Sequence, residues 1–130
     1  MSRALPIRVL VADDNDHLRD ALASLIDSDE ELELAAAAAD AHEAIELAAR
    51  ERPDVALIDV RMPSGGGLAA AQGIAARSPQ TTIVALSASS VLPATLEPIV
   101  SGCIVKGTQV KEIVASIKRY ADSRSPGARE

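Results

Sequence analysis

The stretch Ile7-Arg8-Val9-Leu10-Val11-Ala12-Asp13-Asp14 decides the fold. Its first six residues form an apolar run, rich in β-branched residues, of the kind found in strands that are buried on both faces. Two carboxylates follow where the run stops. A second run, Val55–Ile58, ends at Asp59, and a third, Cys103–Val105, ends at Lys106. If the runs are parallel strands, their carboxyl ends meet at one edge of a sheet, and three acids and a lysine share a small site.

Helical patterns alternate with the strand-like runs. Apolar residues recur at helical spacing from Leu18 to Ile26, and Asp40 with Glu43 three residues later is typical of a capped helix start. Thr108 is a candidate cap for the last helix. The remaining predicted elements are strands at 32–37 and 81–86, a helix at 68–77, and a last helix after Thr108 with an apolar face from Val110 to Tyr120, followed by a tail after Ala121. This alternation predicts an α/β fold, a doubly wound five-stranded parallel sheet with helices on both faces.

The length and composition predict one domain. The chain has 130 residues, of which 48% are hydrophobic and only 1% aromatic, so the core must be built from alanine, valine, leucine and isoleucine. Such small side chains bury little apolar area each, and we expect modest stability. We predict that the domain spans residues 1–122 and that residues 123–130, which are polar, are a flexible tail or the start of a linker.

The charge and cysteine content exclude several classes of function. The formal net charge is −6, which argues against this domain binding nucleic acid itself. One cysteine, Cys103, excludes an internal disulfide and a thiolate zinc site. No apolar stretch reaches membrane-spanning length, and Pro6, Arg8 and Asp13 interrupt any signal-peptide core. We therefore expect a cytoplasmic protein with no membrane partner.

Two further features complete the pattern of residues at the strand ends. Met62-Pro63 and Gly67 form a turn after the third strand, and Ser87 follows the fourth. Each feature alone is ordinary, since a solvated helix-capping loop or a surface cation explains it equally well. Together, and in this order, they resemble the receiver domain of two-component response regulators over about residues 6–121. The resemblance implies the flavodoxin-like strand order 2-1-3-4-5.

The resemblance also implies a role for each residue of the site. Asp59 is expected to accept a phosphoryl group from a phosphohistidine of a sensor histidine kinase. Ser87 is expected to hydrogen-bond that group, and Lys106 to pair with it. Mg²⁺ is the implied cofactor, and its implied ligands are Asp14, Asp59, the backbone carbonyl of Arg61 and, through water, Asp13.

Elementary chemistry agrees with these roles. Mg²⁺ prefers oxygen ligands and keeps waters, so few carboxylates suffice, and a cation relieves the repulsion among clustered acids. A carboxylate is already ionised near neutral pH and needs no general base to act as a nucleophile. The product, an acyl phosphate, hydrolyses slowly. We therefore predict a phosphoacceptor switch with self-catalysed phosphotransfer and slow autodephosphorylation, not a turnover enzyme.

The chain departs from the family pattern where the signal is read out. Cys103 stands where receivers carry an aromatic switch residue, and we interpret it as a small buried residue in preference to a redox group. The segment between Ser87 and Lys106 is short and contains Pro93 and Pro98. Because proline disfavours helix interiors, the fourth helix of the family is expected to be short or perturbed.

Several functional alternatives stay open. The leading hypothesis is a receiver that controls an output, with transcription the expected one, through a DNA-binding domain absent from this chain. The alternative to a receiver joined to a DNA-binding domain is a stand-alone receiver. A receiver-like interaction module acting without phosphorylation is the rival function. A metal-dependent phosphohydrolase is disfavoured because Arg61 stands where a second acid would be needed. A homodimer through the last helix and fifth strand is also open.

Overall fold

A computed structural model describes the backbone of residues 5–129 and the side chains of residues 5–122. It has a sheet of five parallel strands in the order β2-β1-β3-β4-β5. The strands are β1 (Ile7–Ala12), β2 (Leu32–Ala38), β3 (Val55–Asp59), β4 (Thr82–Ser87) and β5 (Gly102–Val105). The predicted doubly wound fold and its strand order are confirmed.

Four helices cover the sheet in the described part of the chain. They are α1 (Asp16–Asp27), α2 (Ala41–Glu51), α3 (Gly66–Arg77) and α4 (Val110–Arg129). Side-chain caps fix the starts of the first two. Asn15 accepts a hydrogen bond from the backbone of Leu18 at 3.0 Å, and Asp40 accepts one from Glu43 at 2.8 Å. The Glu43 carboxylate in turn accepts from the backbone of Ala39, so the capping predicted for α2 is confirmed.

Alternate residues of the strands supply two separate cores, one on each face of the sheet. In β1, Val9 and Val11 pack with α1 and α4, while Leu10 and Ala12 pack with α2 and α3. The second of these cores is rich in alanine, and small side chains allow helices to approach closely. At Gly73 of α3 the side chain of Ile45 from α2 already occupies the place of a Cβ. The pattern of a strand buried on both faces therefore predicted the sheet correctly.

The last helix differs from its predicted form at both ends. The carbonyl of Gln109 accepts its first hydrogen bonds, from Glu112 at 2.9 Å and Ile113 at 3.1 Å. The hydroxyl of Thr108 donates to the carbonyl of Val105 instead of capping the helix. At the other end α4 continues to Arg129, into the segment predicted to be a tail or linker. Where the domain ends thus stays a prediction, and residue 130 lies outside the described residues.

The helix α4 is held against the sheet and against the turn between α1 and β2. The ammonium of Lys118 lies 2.8 Å from the carboxylate of Glu31 and 3.3 Å from that of Asp29. The ring of Tyr120 rests on Gly102 of β5, where it fills the place that a Cβ would take. Any larger residue at position 102 must therefore displace the ring or the helix.

The segment between β4 and β5 forms turns where relatives of this fold class are expected to have a helix. Two helical hydrogen bonds form there, from the backbone N–H of Glu97 to the carbonyl of Pro93 at 3.1 Å and from that of Val100 to the carbonyl of Leu96 at 3.3 Å. Between them Pro98 has no N–H, so the hydrogen bonds do not form a continuous helical ladder. Leu96 anchors the segment to the core with 3% of its surface exposed. The predicted perturbation of the fourth helix is confirmed, and proline is its physical cause.

Candidate functional site

The strand register brings the polar residues to one edge of the sheet. Asp59 and Ser87 are the last residues of β3 and β4, while Asp13 and Lys106 directly follow β1 and β5. The backbone N–H of Lys106 donates to the carbonyl of Ser87 at 2.7 Å, which fixes these two residues side by side. This edge is where parallel α/β sheets bind ligands.

The ammonium of Lys106 joins two buried acids. Its Nζ lies 3.1 Å from Oδ1 of Asp59 and 3.4 Å from Oδ2 of Asp13. Asp13 is fully buried and Asp59 is 3% exposed, whereas the lysine side chain keeps 28% of its surface exposed. Two carboxylates that are shielded from water to this extent would repel each other strongly without a cation. The lysine therefore balances part of their charge.

The three acids predicted as metal ligands lie together. Asp13, Asp14 and Asp59 each offer an oxygen within 4.8 Å of those of the other two. Oδ1 of Asp13 accepts a hydrogen bond from the backbone of Asn15 at 2.8 Å, but its buried Oδ2 has no hydrogen-bond partner. A buried carboxylate oxygen that accepts no hydrogen bond and has only the Lys106 ammonium nearby, at 3.4 Å, suits a hard divalent cation when two other carboxylates lie beside it. The donor set fits Mg²⁺.

The environment raises the pKa of both charged partners in the centre of the site. Burial is the main cause for Asp59 and the charge of Asp13 adds to it, while the backbone N–H of Arg61 and the ammonium of Lys106 act in the opposite direction. For Lys106, burial lowers the pKa, but its interactions with Asp59 and Asp13 outweigh burial and raise it. The lysine is therefore held in its charged form.

A cavity of about 510 Å³ opens beside Asp59. Ser87 and Lys106 line it, and the hydroxyl of Ser87 accepts a hydrogen bond from the backbone of Ser89 at 3.2 Å. Its remaining lining residues are Val60, Arg61, Ala88, Ser89, Val91, Leu92 and Pro93. Sequence reasoning missed the apolar wall formed by residues 91–93, because the prolines signalled a broken helix but not its position.

The turn after β3 depends on a glycine. The backbone N–H of Gly67 donates to the carbonyl of Val60 at 2.9 Å. A Cβ at position 67 would lie 2.9 Å from the carbonyl oxygen of Asp59 and 2.9 Å from Cα of Val60. Within this turn the N–H of Arg61 donates to Oδ1 of Asp59 at 3.3 Å. The glycine therefore allows the close packing that positions the Asp59 side chain.

The cysteine at the expected aromatic position is half-buried on β5. Its sulfur lies 3.8 Å from the carbonyl oxygen of Ser89. Burial raises the pKa of the Cys103 thiol and so disfavours the reactive thiolate. This environment agrees with the interpretation of a small packed residue.

The family model of the response regulator receiver domain matches residues 9–118. The fold, the acidic edge and this match define the class of protein, and the chain belongs to the receiver domain family. Receiver domains bind Mg²⁺ at an acidic pocket, interact with histidine kinases and act as switches and not as classical enzymes.

Several relatives can be described more closely. The chain is 32% identical to the transcriptional regulatory protein LnrK of Bacillus subtilis, and the match covers 85% of this chain and 52% of LnrK. It is 30% identical to the DNA-binding transcriptional activator DevR/DosR of Mycobacterium tuberculosis over 92% of its length and 56% of the relative. The chain therefore spans about half the length of these curated relatives.

A solved structure with the same fold is the response regulator domain of Thermotoga maritima CheB. It is 27% identical, has a TM-score of 0.80, and the match covers 90% of this chain and 97% of that one. Among the described helices of the present protein, none has the length and apolar character needed to cross a membrane.

Proposed function

We propose that this chain is the phosphoaccepting receiver of a two-component response regulator. In this proposal Asp59 takes a phosphoryl group from a phosphohistidine of a sensor histidine kinase, and the change controls an output. The observation that carries the proposal is the ammonium of Lys106, which contacts the buried carboxylates of Asp13 and Asp59 and lines a cavity together with Asp59. A structural ion pair alone has no need of such a cavity.

The covalent step is a direct displacement at phosphorus. An oxygen of the ionised Asp59 forms a bond to phosphorus while the phosphorus–nitrogen bond of the phosphohistidine breaks, and the histidine nitrogen leaves with the electron pair. Hydrolysis of the acyl phosphate later releases inorganic phosphate and restores the carboxylate. The burial of Asp59 excludes bulk water from one side of this bond, which agrees with slow autodephosphorylation.

The other residues of the site bind and orient the transferred group. Lys106 pairs with the phosphoryl oxygens, and the hydroxyl of Ser87 hydrogen-bonds one of them. Asp14, Asp59 and the backbone carbonyl of Arg61 would hold Mg²⁺ directly, and Asp13 would act through water. When bound, Mg²⁺ supplies positive charge that offsets the charge of the acids and of the phosphoryl oxygens.

The output is expected to be transcription. Two relatives that the chain matches over much of its length are named as transcriptional regulators, and this domain covers about half of each. DNA contact would then belong to a further domain, because the net charge of −6 does not suit DNA binding by the receiver itself. The cytoplasmic location and the homodimer stay predictions.

The direct test is labelling of Asp59 by a small phosphodonor. Acetyl phosphate with Mg²⁺ is expected to produce an acyl phosphate that mass spectrometry detects in the wild type and not in Asp59→Asn, because the amide is no nucleophile. Asp20→Asn is the matched control, since it removes one exposed carboxylate of α1 outside the cluster. Folded wild-type protein that acquires no label with Mg²⁺ present would refute the proposal.

A further inference from the structure

Two cations line the cavity beside Asp59 within the described part of the chain, namely Lys106 and Arg61. Lys106 is already shared by two carboxylates, at 3.1 and 3.4 Å. The side chain of Arg61 is exposed and has no hydrogen bond or ion pair to any described residue; only its backbone N–H is engaged, with Asp59. Arg61 is therefore a free cation two residues from the proposed phosphoacceptor.

The charge at the site becomes more negative when Asp59 is phosphorylated. Three carboxylates already cluster there, and the ammonium of Lys106 contacts two of them. The acyl phosphate carries close to two negative charges in place of the single charge of the carboxylate, and it presents three acceptor oxygens. A guanidinium presents a planar fork of donors that matches phosphoryl oxygens, and Arg61 does not have to break another contact in order to supply it.

We propose that the side chain of Arg61 binds the phosphoryl group on Asp59 and thereby favours the phosphorylated form. This role is separate from that of the Arg61 backbone carbonyl, and it rests on the proposed phosphoacceptor function. The position of the residue is well defined, because its N–H donates to Asp59 and the turn is held by the close approach of Gly67 to Val60. The cavity of about 510 Å³ gives the side chain room to reach the group.

The test is a binding measurement with beryllofluoride, which adds to a carboxylate as a stable mimic of an acyl phosphate. Fluorine NMR would follow its binding to the whole chain in the presence of Mg²⁺. The Arg61→Gln variant is expected to bind beryllofluoride about fivefold more weakly than the wild type. This loss is at the upper end of the range for exposed ion pairs, and a larger one is not expected because water still reaches the side chain. Arg61→Lys, which keeps the charge, is expected to recover part of the loss.

Arg52 offers a matched control at the opposite edge of the sheet. It follows α2, it is exposed, and its side chain likewise has no partner among the described residues. Arg52→Gln removes the same charge and is expected to bind beryllofluoride as the wild type does. An equal loss in Arg52→Gln and Arg61→Gln would assign the effect to net charge and overturn the inference, as would wild-type affinity in Arg61→Gln.

Two further measurements separate this inference from its premises. Binding of Mg²⁺ alone is expected not to weaken in Arg61→Gln, because glutamine keeps the backbone carbonyl; weaker binding would place the loss at the metal site and overturn the inference. Asp59→Asn is expected to bind no beryllofluoride. If the wild type also binds none, the phosphoacceptor function itself fails, a result distinct from the failure of Arg61 alone.

Discussion

Asp59 lies in a place that disfavours its charge. It is 3% exposed and close to Asp13, and both burial and this neighbour raise its pKa above the ordinary value of 3.8. The N–H of Arg61 and the ammonium of Lys106 offset these effects only in part. A buried, charged nucleophile of this kind lowers the stability of the unphosphorylated protein. Such a loss of stability is common at functional sites.

The cost of this charge should be visible as a pH-dependent difference in stability. The folded state binds the Asp59 proton more tightly than the unfolded chain, so wild-type stability falls as pH rises from 3.8 through the raised pKa. The Asp59→Asn variant has no carboxyl group to ionise at this position, so its stability does not fall in this way, and Lys106 stays paired with Asp13. Above that window, with chelator present, urea unfolding should show Asp59→Asn to be more stable than the wild type.

Two controls accompany the unfolding measurement. Asp20→Asn removes an exposed carboxylate and should show no such difference between low and neutral pH. Added Mg²⁺ should reduce the advantage of Asp59→Asn, because a bound cation stabilises the three carboxylates of the folded wild type. A neutral-pH stability of Asp59→Asn below that of the wild type would contradict the assigned sign.

Among the elements, the turn between β3 and α3 is held by close backbone contacts. Gly67 is buried against the backbone of Asp59 and Val60, and the carbonyl of Pro63 in the same turn accepts a hydrogen bond from Ala41 at 3.1 Å. The turn therefore links the start of α2 to the backbone that carries the proposed phosphoacceptor. Movement of this turn would move Asp59 with it.

Gly67→Ala should lower both stability and phosphoacceptance. The added Cβ meets backbone atoms at 2.9 Å, which cannot rotate away, so we expect a loss of about 1–3 kcal/mol in the free energy of unfolding. Urea unfolding and labelling by acetyl phosphate would measure the two effects. Gln72→Ala, an exposed change in the same helix, is the control; equal behaviour of the two variants would show that the turn tolerates a side chain.

The segment between β4 and β5 shows where local sequence rules stop. Pro98 was sufficient to predict a broken helix, because the missing N–H is a property of that residue alone. The placement of Val91 and Leu92 on the same cavity wall as Asp59 and Lys106 could not be predicted in this way, since these residues are distant from one another in sequence. Periodicity carries no information about such contacts.

For the whole molecule, the sequence predicted the layered α/β architecture because strand patterns buried on both faces and helical spacing are local signals. The meeting of Asp13, Asp59 and Lys106 followed from topology, since parallel strands end at one edge. The extent of α4 did not follow. Ser125, Pro126 and Gly127 are weak helix formers, and local propensity placed the end of the helix before them.

The ion pairs of Lys118 connect α4 to the turn between α1 and β2 and should stabilise the whole domain. Its contacts with Glu31 and Asp29 raise the pKa of Lys118 above 10.5. The stabilisation is therefore complete below pH 10.5 and is lost as pH rises through the higher pKa of the folded state. Lys118→Met should cost about 0.5–1 kcal/mol at neutral pH, as expected for a partly exposed ion-pair network.

The measurement is urea unfolding of Lys118→Met and of the wild type at neutral and strongly alkaline pH. The difference between the two proteins should shrink at alkaline pH, and it should also shrink in high salt, which screens the pairs. Lys111→Met, at an exposed position of the same helix, is the control and should behave as the wild type does. A difference that does not depend on pH would indicate packing by the lysine stem instead of charge.

The contact of Tyr120 with Gly102 has a spectroscopic consequence. The chain contains one tyrosine and no tryptophan or phenylalanine, so all of its aromatic absorption, emission and near-ultraviolet dichroism arises from this one ring. The ring rests on β5, the strand that leads to Lys106. Native tyrosine fluorescence therefore reports, without an added label, on the contact between α4 and β5, and no other aromatic chromophore in the chain contributes to the signal.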